Sequence, residues 1–107
     1  MKTLFVIIMG LLVIGCGTNY HTITLNNESV NYCHARLQIA NEVLEAYNGE
    51  TDNEIIEEDT YATTIFCEVI DVAAEDTLIF IFDDTVNIDG DITCIVNTQS
   101  ANWIVWE

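Results

Sequence analysis

Basic residues are almost missing from this 107-residue chain: Lys2 and Arg36 stand against 18 acidic residues, for a formal net charge of −16. A field of that sign repels phosphate backbones and anionic lipid head groups, so nucleic acid and a polybasic membrane-surface role are excluded. With so few cations almost no salt bridges can form, and stability must come from packing and any disulfide. Glycine is scarce, with five in all, and no glycine-rich phosphate loop occurs. No Ser-His-Asp ordering or paired-acid signature stands out, and among so many acids a carboxylate pair arises by chance. The chain is therefore read as a non-enzyme with no cofactor. The four cysteines contain no Cys-x-x-Cys spacing, which leaves zinc and thioredoxin-like chemistry without support.

What is present begins with an apolar run from Leu4 to Ile14, preceded by Lys2 and followed by Gly15-Cys16-Gly17. As a helix this run covers about 16 Å at ~1.5 Å per residue, well short of a hydrocarbon core of about 30 Å. It fits the apolar region of an export signal instead. Val13-Ile14-Gly15-Cys16 resembles the lipobox of bacterial lipoproteins, an aliphatic residue, a tolerated one, a small one and the cysteine. That resemblance, confined to residues 1–16, implies a signal peptide over 1–15 and a diacylglycerol on the Cys16 thiol. Residues 16–25 then form a tether and possible first strand, and 26–107 a single acidic domain. Two or more acyl chains anchor stably, at about 0.8 kcal/mol per buried methylene. Gly17, where an Asp would retain a Gram-negative lipoprotein at the inner membrane, points to the outer membrane or cell surface in such a host.

Along the exported part, Tyr20 to Leu25 alternates and reads as a short first strand, with His21 a solvated polar residue. Val30, Cys33, Leu37, Ala40, Leu44 and Tyr47 recur at steps of three and four, which predicts an amphipathic helix closed by Asn48-Gly49. On such a helix Cys33 and His34 diverge by about 100° and cannot share an ion. Glu50 to Thr60 is an acid-rich loop with Ile55-Ile56 touching the core. From Tyr61 the period becomes two: a strand over 61–72, an interior strand over Leu78 to Phe82 that is apolar on both faces, and a hairpin at Asp89-Gly90 joining 86–88 to 92–96. A terminal strand over 102–107 carries Trp103 and Trp106.

The expected fold class is thus α+β, one helix packed on an antiparallel sheet of about four strands. The layout resembles that of the cystatins in order only. The Gln-Val-Val-Ala-Gly-type loop is absent, and a chain without proline has no Pro-Trp hairpin, so protease inhibition is not implied.

Asn87-Ile88-Asp89-Gly90-Asp91-Ile92 has the alternate oxygens and central glycine of a calcium loop. Thr85 and Val96 stand where its first and twelfth ligands belong, and a hairpin turn is the better reading; no metal site is assigned. Once Cys16 is lipidated, Cys33, Cys67 and Cys94 remain as disulfide candidates, an odd number for an oxidising compartment. A Cys67–Cys94 bridge would contribute about 3 to 4 kcal/mol by loop entropy. Period two sets Trp103 and Trp106 on opposite faces of the last strand, one in the core and one, Trp106, a candidate anchor for a protein partner. The resulting expectation is a lipid-anchored extracytoplasmic binding protein, of inhibitor, exclusion or assembly type. The competing expectation is a structural or divalent-cation-binding surface lipoprotein.

Overall fold

The computed structural model describes residues 19–30, 32–71 and 73–107. Eight strands follow one another: β1 (Tyr20–Asn27), β2 (Cys33–Ile39), β3 (Glu42–Tyr47), β4 (Thr51–Glu57), β5 (Asp59–Asp71), β6 (Asp76–Ile88), β7 (Ile92–Val96) and β8 (Ile104–Trp106). They form two four-stranded sheets, one in the order β4-β1-β7-β8 and the other β3-β2-β5-β6. We refer to these as sheet 1 and sheet 2. All pairings are antiparallel except β1 with β7, which is parallel. The sheets share one core in which Ile23 and Leu25 of β1, Leu37 and Ile39 of β2, Leu44 of β3, Ile65 of β5, Ile88 of β6 and Val96 of β7 are all buried. The fold is a β-sandwich.

The α+β expectation is corrected by this arrangement: no helix occurs among the described residues. The helical stripe dissolves into a β2–β3 hairpin. Cys33, Ala35, Leu37 and Ile39 point inward at period two, and His34, Arg36 and Gln38 point outward. Steps of four satisfy both periods, so Cys33 and Leu37 fit either reading. The residues that completed the stripe are not buried: Val30 and Tyr47 are 73% and 58% exposed, and Ala40 sits in the turn. A helix would also have buried Arg36 or Gln38 beside them, whereas the strand puts every polar residue outside.

The β2–β3 turn has two residues, since Ile39 pairs with Glu42. It holds Ala40 at φ +56°, a left-handed conformation that costs a residue with a Cβ about 1 to 2 kcal/mol. Ala40→Gly is expected to stabilise the fold by about 0.5 to 1 kcal/mol once the greater freedom of glycine in the unfolded chain is counted. A urea midpoint shifted upward at constant m-value checks this; an unchanged or lower midpoint refutes it. Gly49, at φ +83°, ends β3 and not a helix. Its N–H donates to the Asn27 carbonyl at 2.7 Å.

The Asp89-Gly90 segment is also not a hairpin. It carries the chain from β6 in sheet 2 to β7 in sheet 1. Leu78 to Phe82 departs furthest from expectation. The run lies on β6, an edge strand of sheet 2, with Ile79 and Ile81 62% and 58% exposed. The short strands of sheet 1 do not cover this stretch. Trp103 reaches it, with ring centroids 4.8 Å from Phe80 and 6.1 Å from Phe82.

Candidate functional site

Cys16 lies outside the described residues. Cys33, Cys67 and Cys94 are buried free thiols, which corrects the expected disulfide. Cys67 stands opposite Ala35, two places from Cys33 on the neighbouring strand, a diagonal relation of about 7 to 8 Å that a disulfide does not span. Cys94 belongs to the other sheet. The Cys67 thiol donates to the Cys33 sulfur, and this draws Cys33 below the ordinary thiol value against its burial, with Ser29 adding to the effect. The same contact, reinforced by burial, pushes Cys67 up. Burial alone pushes Cys94 up to about 12. Cys67 and Cys94 are core thiols held protonated, whereas Cys33 is drawn toward the thiolate by the hydrogen bond from Cys67.

Trp106 pairs across from Cys94, and Trp103 precedes β8. Both rings are half-buried and both pack against the core. The indole N–H of Trp106 is buried without an acceptor. His21, on β1, lies 3.3 Å from Glu58. Asn19, and then His21, hold the Glu58 carboxyl below the usual range.

The acidic stretch after Glu50 is strand β4 and the start of β5 rather than a loop. In the calcium-like segment two of the side-chain oxygens are engaged by residues of other strands. Thr60 donates to Asn87 Oδ1 at 3.1 Å, and the Thr22 N–H to Asp91 Oδ1 at 2.9 Å. Among the described residues no group of three or more His, Cys, Asp or Glu side chains is placed to hold a metal ion.

The outer face of sheet 2 brings together residues that sequence order keeps apart. Strand register sets Tyr47, His34, Glu68 and Ile79 in one row across β3, β2, β5 and β6, and Glu45, Arg36, Phe66 and Ile81 in the next. The His34 ring stacks on Tyr47 with centroids 4.4 Å apart and planes 12° from parallel. Its Nε2 lies 3.1 Å from Glu45 and its Nδ1 3.6 Å from Glu68. The Arg36 guanidinium sits over the Phe66 ring, 5.3 Å from the centroid, a cation–π contact of about 0.5 to 1 kcal/mol at an exposed site. A shallow recess is lined by His34, Arg36, Phe66, Glu68 and Ile79.

This face therefore gathers the single arginine of the chain, one of its two histidines, two aromatic rings and two exposed isoleucines. It carries no activated nucleophile, and what it offers is binding through apolar area, ring stacking and a planar guanidinium. The helical reading hid it by turning His34 and Arg36 away from one another. The alternation in Cys33 to Ile39 was the signal that shows them on one side. No protein-family model, curated protein or solved structure matches the chain.

Proposed function

We propose that the chain is a lipid-anchored extracytoplasmic binding protein. In this reading Cys16 carries the anchor, and the outer face of sheet 2 meets a protein partner in the envelope or outside the cell. The observation that carries it is the patch just described. Tyr47, Val43, Ile79 and Ile81 are all exposed around the Arg36–Phe66 pair, on a chain whose surface is otherwise dominated by carboxylates. Aromatic residues and arginine flanked by aliphatic ones are the composition of binding hot spots. The opposite outer face, on sheet 1, also exposes Tyr20 and Ile55, but they stand among Thr22, Thr24, Asn26, Asn53 and Thr93, with no arginine beside them. The leader supports the location, since Gly15-Cys16 closes an apolar run too short to span a bilayer.

The test uses the full chain expressed with its own leader. A photo-crosslinking residue is placed at Tyr47 on the outer face of sheet 2, and at Thr24 on sheet 1 as the control. Protein adducts from position 47 exceeding those from 24 by about tenfold support a partner-binding face. Equal yields, or none, remove it and favour the structural alternative. Intact mass of the membrane-fraction protein tests the anchor separately: a chain starting at Cys16 with diacylglycerol and acyl additions is expected, and an unlipidated mature chain overturns it.

A further inference from the structure

Over Thr77 to Phe82 the edge of sheet 2 at β6 has none of the devices that keep such edges single. Natural edge strands are blunted by lysine, proline, bulges or brevity. Here β5 and β6 pair without a break from Asp59 opposite Ile88 to Asp71 opposite Asp76, so the strand is long and has no bulge. The whole chain lacks proline, and Thr77 to Phe82 carries no charge. Leu78, Ile79, Phe80 and Ile81 are all exposed, from both faces of the strand. Their outward backbone groups are an open template for another strand.

We propose that the occupant of this edge is the β6 strand of a second copy of the chain, paired antiparallel about a two-fold axis at Phe80. The argument is one of register. A two-fold across the edge that continues the sheet keeps inward residues opposite inward residues, so the axis must fall on a residue and not between two. Centred on Phe80, the pairing sets Ile79 opposite Ile81, Leu78 opposite Phe82, and Phe80 opposite itself. All five apolar positions then meet apolar partners on both faces. Centred on Ile79, it sets Asp76 against Phe82. Centred on Ile81, it sets Ile79 against Asp83 and Leu78 against Asp84. The apolar run is symmetric only about Phe80; that register also sets Asp76 opposite Asp84 beyond the run, but a slip in either direction puts acids against apolar partners within it. A foreign strand would gain nothing from that symmetry. On the inner side Trp103, already packed edge-on against Phe80, meets its counterpart beside the axis, next to the groove that it lines together with Tyr32, Val69, Asp71, Leu78 and Phe80. The result is a continuous eight-stranded sheet. The inference rests on the edge alone, not on the lipid anchor or on the outer-face partner.

Cysteine pairing reads the register directly. Opposite residues in an antiparallel pair lie about 4.5 to 5.5 Å apart at Cα, within the range a disulfide spans. Full chains carrying Phe80→Cys, Ile79→Cys or Ile81→Cys are expressed singly, and the last two also together with distinguishable tags, then oxidised mildly beside the wild type. Phe80→Cys is expected to form a covalent dimer alone. Ile79→Cys and Ile81→Cys are expected to join each other when co-expressed, with a yield about tenfold above either alone, since only then do the thiols face. Dimers from Ile79→Cys or Ile81→Cys alone at the mixed yield, or no mixed dimer, overturn the proposal. The 79 and 81 positions lie on the exposed outer face, so the test stands even if Phe80→Cys loosens its contact with Trp103.

Discussion

Replacing Asn27 by alanine is expected to cost about 3 to 5 kcal/mol, because two buried carbonyls lose their donors and a buried N–H its acceptor. The side chain is fully buried at the end of β1. Its Nδ2 donates to the carbonyls of Cys33 at 3.1 Å and Ala46 at 3.0 Å, and its Oδ1 accepts the Ser29 N–H at 3.0 Å. Its backbone N–H donates to Glu50 and its carbonyl accepts from Gly49. One amide thus ties β1 in sheet 1 to β2 and β3 in sheet 2, at the point where the chain changes layer. For a domain whose whole stability is of the order of 5 to 15 kcal/mol, that loss is a large fraction. Asn27→Asp separates hydrogen bonding from shape. It is isosteric, but its carboxylate faces two carbonyl oxygens with no proton to give, and it is expected to be at least as damaging at neutral pH. Urea denaturation of both variants checks this. A cost below about 1 kcal/mol for both would show that water replaces the amide and that the two sheets do not depend on it.

Stability is expected to fall steeply on the alkaline side. Burial pushes Cys94 up to about 12, and the Cys33 hydrogen bond together with burial raises Cys67. A raised thiol holds its proton more tightly folded than unfolded. Its contribution is complete below the unfolded value near 9 and is lost as pH rises through the folded one. At about 1.4 kcal/mol per unit, the window from pH 9 to 12 removes roughly 4 kcal/mol through Cys94. Cys33, lowered from 9.0 to about 6, acts with the opposite sign: its contribution is present above pH 9 and is lost as pH falls toward 6. Chemical denaturation at pH steps from 8 to 11 is the measurement, with Cys94→Ala as comparator. The variant starts lower for want of its sulfur but should show a shallower alkaline limb, and parallel limbs would refute the assignment to this thiol.

The sequence was informative about strands whose alternation is unbroken and misleading where two periods coincide. The strand over Ile92 to Val96 matches β7, the one over 61–72 matches most of β5, and Tyr20 to Leu25 most of β1. The helix failed because apolar residues four apart suit either period, and His34, Arg36 and Gln38 between them were the discriminating polar set. Leu78 to Phe82 failed for a different reason. Apolar residues on both faces identify a strand without saying whether anything lies over it, and cover depends on how far sheet 1 extends. The two-face arithmetic for Trp103 and Trp106 presupposed one strand through both. Trp103 precedes β8, so its ring is free to turn to the core as Trp106 does. The row from Tyr47 to Ile79 was beyond sequence reasoning, since it is created by the pairing of four strands.

The single parallel pairing bears on how the chain reaches this state. β1 lies between β4 and β7, and two hydrogen bonds between its surroundings and those of β7, Thr22 to Asp91 and Thr98 to Ser29, each span 69 positions. Sheet 1 therefore cannot close until nearly the last residue is available, however early β1 leaves the ribosome. Contacts of such long separation slow folding. A chain crossing a membrane N-terminus first would hold β1 and β4 as an unfinished ribbon until β7 and β8 arrive. The β2–β3 and β5–β6 hairpins, being local, can form in the meantime, so assembly would proceed from sheet 2 to sheet 1 and finish at the C-terminus.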